Sequence, residues 1–228
     1  MRRVVMPELL DTDAGTPAEI EQSLRDIGRV NRWFGGTSTT ARLVEQVAER
    51  SGRHELSLLD VGAGPGDVPL GVSGRMQHRG RRIEVTLLDR AASHLPRNGV
   101  RCVAGNALAL PFRDGSFDLV ACALLAHHLE AEEIVTFVNQ ALRVCRVAVL
   151  INDLRRDPLH LALVYAGFPL FRSHMAWHDG IVSVRRAYTR GEMMAMLRKT
   201  NAAAVEIEEH YLYRMGAIAW KSGVSVFG

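Results

Sequence analysis

The residues of this chain that could do chemistry fall in a few short stretches. Leu58-Leu59-Asp60-Val61-Gly62-Ala63-Gly64-Pro65-Gly66-Asp67 joins an apolar strand pattern to three glycines and two carboxylates. Glycine has no Cβ, so a ligand can approach the backbone of such a turn closely. The spacing narrows the ligand. A dinucleotide turn reads G-x-G-x-x-G, and here its last position is Asp67, an acid where a pyrophosphate would lie. A phosphate loop needs G-x-x-x-x-G-K-[ST], and no lysine is near. The turn therefore suits a nucleoside-bearing ligand without phosphates that can carry positive charge. His127-His128 is the second stretch, directly after the apolar run Phe117–Ala123. A phenol keeps most of its proton at neutral pH, and a neutral imidazole is a useful base for it. Adjacent residues point in different directions, so at most one of the two faces a bound acceptor.

The elements that must position these groups alternate. Short apolar runs at Leu56–Val61, Ile83–Asp89, Val100–Val103, Phe117–Ala123 and Arg146–Asn152 read as strands, with helical segments between them. That alternation signals a parallel sheet in an α/β fold. Ile134, Val138, Ala141 and Leu142 mark a helix between the last two strands. Before the first strand, Thr16-Pro17-Ala18-Glu19 reads as a capping box with proline at the first helical position. Ile20, Leu24 and Ile27 share one face of that helix, Gly35-Gly36 ends it, and Thr37 or Ser38 can cap a second helix. The first 15 residues read as a loose tail. Thr189-Arg190-Gly191-Glu192 is another capping box, with Met193, Met196 and Leu197 facing inward, and Val205–Tyr213 with Ala217–Val226 can form a terminal hairpin. The expected organisation is an N-terminal helical cap over 1–52 and a core over 53–228, with a lid-like insertion at about 155–188.

Four segments, in order, resemble the class I S-adenosylmethionine-dependent methyltransferases. They are the glycine turn, Thr86-Leu87-Leu88-Asp89, Gly105-Asn106-Ala107, and Leu110-Pro111-Phe112-Arg113-Asp114-Gly115-Ser116-Phe117-Asp118-Leu119-Val120. The resemblance covers about residues 55–155. It implies a Rossmann-like fold: a seven-stranded, mostly parallel sheet in order 3-2-1-4-5-7-6, helices on both faces and strand seven antiparallel. It implies S-adenosylmethionine as cofactor and S-adenosylhomocysteine as product. The implied cofactor contacts are Asp60, Gly62, Ala63, Gly64, Asp67, Asp89, Arg90, Asn106, Ala107 and Ala123. Asp89 would accept hydrogen bonds from both ribose hydroxyls, which paired carboxylate oxygens can do. Asn106 stands where the family more often has Asp, and its side-chain oxygen can still meet the adenine amino group.

Missing residues set subclasses aside. After strand four stands Ala121-Cys122-Ala123-Leu124-Leu125-Ala126, not the Asn/Asp-Pro-Pro-Tyr of adenine-amino enzymes, and no cysteine follows a proline as in cytosine-carbon enzymes. Asn152-Asp153 matches only half of the magnesium-dependent catechol pattern, and one protein carboxylate makes a poor hard-cation site, so no metal is expected. Asn31-Arg32-Trp33-Phe34-Gly35-Gly36 and Ile151-Asn152-Asp153-Leu154-Arg155-Arg156 resemble segments of bacterial methyltransferases associated with aromatic polyketide pathways. That resemblance implies O-methylation of a small hydrophobic phenolic or quinol acceptor. C- or N-methylation of a quinone precursor or an amine, and a non-catalytic S-adenosylmethionine-binding partner protein, are the alternatives. His128 ranks above His127 as general base because it lies nearer the next helix. Asp118, inside the strand-four motif, reads as structural.

The apolar stretch from Asp157 to Phe171 reads either as a core-facing helix ending near Gly167, the favoured reading, or as a lid over a hydrophobic acceptor. An exposed apolar helix there would instead touch lipid or a second subunit, and a homodimer is among the expectations. Arg155-Arg156 and Arg185-Arg186 bracket it and could hold a carboxylate, although solvated surface pairs are the commoner outcome. The 228 residues, 47% hydrophobic and 23% charged, fit one α/β domain and exclude disordered and disulfide-scaffold classes. Net charge is only +3, and all basic residues but Lys199 and Lys221 are arginine, so no nucleic-acid partner is expected. Cys102, Cys122 and Cys145 lie in apolar stretches without C-x-x-C spacing, which points to buried thiols and a reducing cytoplasm. No run of about 18 apolar residues is present, so no transmembrane segment is expected.

Overall fold

In a computed structural model, residues 1–223 apart from Asp13, Asn98, Phe168 and Leu170 are described. Seven strands form one sheet: β1 (Glu55–Val61), β2 (Arg82–Asp89), β3 (Arg101–Ala104), β4 (Phe117–Ala123), β5 (Cys145–Leu154), β6 (Ala204–His210) and β7 (Arg214–Trp220). Their order is β3-β2-β1-β4-β5-β7-β6. β1 pairs in parallel with β2 and β4, and β7 runs antiparallel to β5 and β6. This is the sheet that the sequence resemblance implies. The part of the terminal hairpin expected beyond residue 223 lies outside the described residues.

Side chains of a strand alternate between the two faces of the sheet, and each face has its own core. Leu59, Val61, Val120 and Cys122 face one side, where α4 (Ala131–Val144) adds Ile134, Phe137, Val138, Ala141 and Leu142. Those five recur at helical spacing, so one stripe of α4 is buried. α7 (Arg190–Leu197) joins this face through Met193, Met196 and Leu197, as its capping box and periodicity predict. Leu56, Leu58, Leu119 and Ala121 face the other side, against α2 (Gly36–Ser51) and α3 (Asp67–Gln77). Gly35, at φ 85°, is the N-cap of α2, so neither Thr37 nor Ser38 caps it. The Thr40 hydroxyl donates to Gly36 O inside the first turn.

α1 (Pro17–Trp33) starts with the expected capping box, Thr16 and Glu19 each accepting from the other's backbone N–H. Its apolar residues do not enter either core. Leu24, Ile27 and Val30 line a cavity, and its buried residues are Ser23, Asp26 and Asn31. The insertion forms α5 (Pro158–Ala166) and α6 (His174–Arg186). α5 is not the core-facing helix the sequence favours. Leu159 is 58% exposed and Leu163 45%, and only His160 is buried. The reason is position: α5 stands beyond the end of β5, outside both faces of the sheet, and its one inward side lines the cavity with His160 and Val164.

The first 12 residues are not a loose tail. Val4 N donates to Arg185 O, Leu9 N to an Asp179 carboxylate oxygen, and Arg3 Nε to Arg186 O. Arg3 also stacks on the Tyr188 ring at 4.3 Å and pairs with Glu130. The segment lies across α6 and brings Glu8 and Asp11 to the end of β4. No helix among the described residues is long and apolar enough to cross a membrane.

Candidate active site

A cavity of about 870 Å³ opens at the carboxyl ends of β1, β2, β4 and β5. Ligand pockets run to roughly 1,000 Å³, so this one can hold a donor and an acceptor together. Open α/β sheets bind ligands at this edge.

The first half of the cavity grows from β1. Gly62, Gly64 and Gly66 have φ of 70°, 51° and 81°, a region that favours glycine. Beside Gly64 a Cβ would meet nothing within 4 Å, so that backbone faces open space, while at Gly62 it would press on Leu125 at 3.1 Å. The end of β2 is tied to the turn. Gly62 N and Ala63 N donate to Leu88 O, and Gly64 N donates to Asp89 Oδ2 at 2.8 Å. Asp60 is buried beneath, and its Oδ1 has no hydrogen-bond partner. Burial, with the Asp89 charge added, pushes its carboxyl up to about 8. A cationic ligand end above the turn would relieve both conditions. Asp67, at the start of α3, is an accessible carboxylate that packs against α1 at Gly28. Arg90, Asn106, Ala107 and Ala123 also line the cavity. The Asn106 side-chain oxygen accepts from Leu108 N, which fixes the residue in its loop.

The second half grows from β4. Leu124, at φ 58°, turns the chain after the strand and donates its N–H to Asn152 O. A non-glycine residue in this region costs roughly 1–2 kcal/mol. The turn delivers a short 3-10 segment, Ala126–His128, beside the glycine turn. His127 is 2% exposed. Its N–H donates to Asp153 Oδ2, its Nδ1 lies 2.7 Å from Asp153 Oδ1, and its Nε2 lies 3.2 Å from Glu8 Oε1. Burial alone would push this imidazole down. Asp153 and Glu8 outweigh it and raise it to about 10, so His127 is a buried cation. His128 is half-buried. Its Nδ1 lies 3.0 Å from Asp11 Oδ1 and its Nε2 3.6 Å from Glu8 Oε2. Arg186 donates to Asp11 Oδ2 and to His128 O.

Sequence reasoning brings the glycine turn, Asp60, Asp67, Asp89, Asn106 and both histidines to one cavity, as the structure does. It misses Glu8, Asp11, Asp179 and Arg214, all of which line the cavity. No local pattern marks the two N-terminal acids, because their partners lie more than 100 residues away. Of the bracketing arginines, Arg155 is engaged elsewhere with Glu209, Arg156 with Glu192 and Arg185 with the Tyr165 hydroxyl, while Arg186 lines the cavity and holds Asp11. Asp118 accepts from Ser57 N and Ser57 Oγ and pairs with Arg53, at the opposite edge of the sheet.

The sheet order, the glycine turn and the acid ending β2 define a Rossmann-like methyltransferase fold. A family profile described as "Methyltransferase domain" matches residues 59–150. The chain is 38% identical over 80 residues to the uncharacterized methyltransferase YcgJ of Bacillus subtilis (strain 168). That alignment takes in 33% of this chain and 32% of the relative, so the chain spans about a third of the length of the curated relative it matches. Among solved structures, it resembles the plantazolicin methyltransferase BamL, held in complex with a triazolic desmethylPZN analog and SAH. The TM-score is 0.64 at 15% identity, over 90% of this chain and 91% of that one. It also resembles magnesium protoporphyrin IX methyltransferase from Synechocystis PCC 6803 with bound SAH, at TM-score 0.54 and 14% identity, over 82% and 84% of the two chains. Residues 59–150 match a methyltransferase-domain family, the fold around them is that of solved methyltransferases with bound SAH, and the cofactor these likenesses imply is S-adenosylmethionine. The residues present fit that molecule: open space at Gly64, a carboxylate lining the cavity at Asp89, and a buried acid at Asp60 whose Oδ1 has no partner.

Proposed function

We propose that this protein transfers a methyl group from S-adenosylmethionine to an oxygen of a small hydrophobic acceptor of the phenol or quinol class. The observation that carries the reading is His128, set between two carboxylates in the cavity that the glycine turn opens. S-adenosylmethionine supplies a methyl group on a sulfonium, and the sulfur keeps the electron pair as S-adenosylhomocysteine leaves. With Nδ1 turned to Asp11, the neutral form of His128 presents its lone pair at Nε2. That nitrogen takes the acceptor hydroxyl proton, and the Glu8 carboxylate beside it stabilises the imidazolium, the logic of an oriented base. His127, cationic and locked to Asp153 and Glu8, cannot take a proton. It positions Glu8. Gly62, Gly64, Asp89, Asn106 and Ala107 hold the nucleoside, with Asp60 and Asp67 at the charged amino-acid end. Leu24, Ile27 and Val30 of α1, with Val164 and Phe171 of the insertion, give the acceptor an apolar wall that keeps water from the reacting oxygen.

Three free cysteines among the described residues agree with a reducing compartment such as the cytoplasm. Donor turnover into S-adenosylhomocysteine, measured across phenols, quinols and amines, tests the reading. Turnover with phenols or quinols is expected. Methylation of amines or ring carbons alone overturns the oxygen assignment. Tight donor binding without any turnover identifies a binding protein instead.

A further inference from the structure

Of the three arginines among the described residues that line the cavity, Arg90 donates to the Asp11 main-chain carbonyl and Arg186 to the Asp11 carboxylate. Arg214, the first residue of β7, makes neither kind of contact. Its side chain is 1% exposed, yet it lines the cavity. Nη2 donates to Asn31 Oδ1 at 2.8 Å. Nη1 is buried and has no hydrogen-bond partner. The carboxylate whose charge reaches it, Asp153, is committed to His127. Arg186 makes the contrast. It too is buried, but it holds Asp11 at 2.9 Å. A buried guanidinium with no ion pair is costly, and most of that cost is recovered only when an anion arrives. Burial lowers the Arg214 guanidinium to about 10, so it is still cationic at neutral pH.

We propose that Arg214 is the core of an oxyanion subsite that takes a carboxylate carried by the methyl acceptor. Resting on the methyltransferase reading, this names the acceptor class more narrowly: a hydroxylated aromatic acid. A guanidinium fork matches a carboxylate geometrically, and Asn31 fixes the plane of this one. Val30, Leu154 and Val164 line the same cavity, and His160 lies near enough to Arg214 for the two charges to interact. The donor also carries a carboxylate, but the sheet separates the two sites. Arg214 is paired with Leu154 at the end of β5, and β7 lies three strands from β1. At about 4.8 Å per strand the backbone of Arg214 lies roughly 14 Å from that of β1. β4, which delivers His128, lies between. An acceptor anchored at Arg214 therefore points its far end back toward His128.

The test uses the full-length protein saturated with S-adenosylhomocysteine, titrated calorimetrically with 4-hydroxybenzoate and with its neutral isostere 4-hydroxybenzamide. The protein should bind the acid at least about tenfold more tightly than the amide, the scale of one charge-assisted hydrogen bond. Arg214→Met should erase that preference and leave the affinity for S-adenosylhomocysteine within about twofold. Arg214→Lys, which keeps the charge but not the fork, should retain part of it. Equal binding of acid and amide by the unmodified protein, or binding of neither at millimolar concentration, overturns the proposal, whether or not the variants fold. A large loss of S-adenosylhomocysteine affinity in a folded Arg214→Met, with the acid preference kept, also overturns it and assigns the arginine to the donor. Failure of the methyltransferase reading looks different: S-adenosylhomocysteine itself does not bind.

Discussion

The two halves of the cavity are built in opposite ways. The donor half comes from a short span, Asp60 to Ala107, in which each contact follows from a strand end and the turn after it. Its key tie, Gly64 N to Asp89 Oδ2, joins residues only 25 apart. The acceptor half is assembled from the extremes of the chain. Glu8 meets His127, Ser183 donates to Glu8 from 175 residues away, and Arg214 reaches Asn31 across 183. The glycine-turn half is a local motif. The acceptor half is a meeting of distant segments, and it can change without disturbing the motif.

If that division holds, mutations should sort by half. His128→Ala should lower kcat by about 10²- to 10⁴-fold, the usual contribution of a general base, and leave S-adenosylhomocysteine affinity unchanged. A fall of less than about threefold in steady-state assays would leave alignment alone as the source of rate. Asp153→Asn breaks the buried pair with His127 and should cost about 3–5 kcal/mol of stability in urea unfolding, because it strands a cation in the core. The same pair sets a pH dependence. With His127 raised to about 10 from an ordinary value of about 6.5, its contribution is complete below about 6.5 and fades as pH climbs toward 10. Asp153 and Glu8 are held below their ordinary values, so their share is present at neutral pH and fades in acid. The urea midpoint should therefore fall on both sides of weakly acidic pH, and Asp153→Asn should flatten the alkaline limb.

On the donor side, Asp89→Ala should weaken S-adenosylhomocysteine binding by roughly 1.5–3 kcal/mol by calorimetry, and the urea midpoint should fall as well, because Gly64 N and Ala91 N lose their acceptor. The smallest effect concerns Asp60. With its carboxyl raised to about 8, it is mostly protonated in the free protein at pH 7. A cationic ligand end favours the ionised form, so donor binding should release a fraction of a proton and tighten as pH rises to about 8. Calorimetry in buffers of different ionisation enthalpy reads that proton, and its absence would place the charged end away from Asp60.

The same contrast explains what could be read from the chain beforehand. Whereas the sheet order rests on the family resemblance, strand alternation, the capping boxes at Thr16 and Thr189 and the glycine turn are legible because neighbours in sequence determine them. The docked N-terminal segment is not. Glu8 and Asp11 look like ordinary surface acids until His127, His128 and Arg186 are brought to them by the fold. α5 misled for a related reason. Its composition is that of a core helix, but whether an apolar face is covered depends on what lies beyond β5. Arg214 falls between the two expected hairpin strands, Val205–Tyr213 and Ala217–Val226, and is instead the first residue of β7.

The buried Glu8–His127–Asp153 trio bears on inheritance as well as chemistry. It draws one member each from the N-terminal segment, the turn after β4 and the end of β5. A recombination event that exchanges the first 52 residues for those of a relative lacking an acid at position 8 leaves a cation facing an apolar replacement. The crossover would be rejected on folding grounds before any acceptor was tried. Segments that look separable along the chain must then travel as a set, and new acceptor preferences should arise by substitution along α1 and α5 rather than by swapping the leading segment.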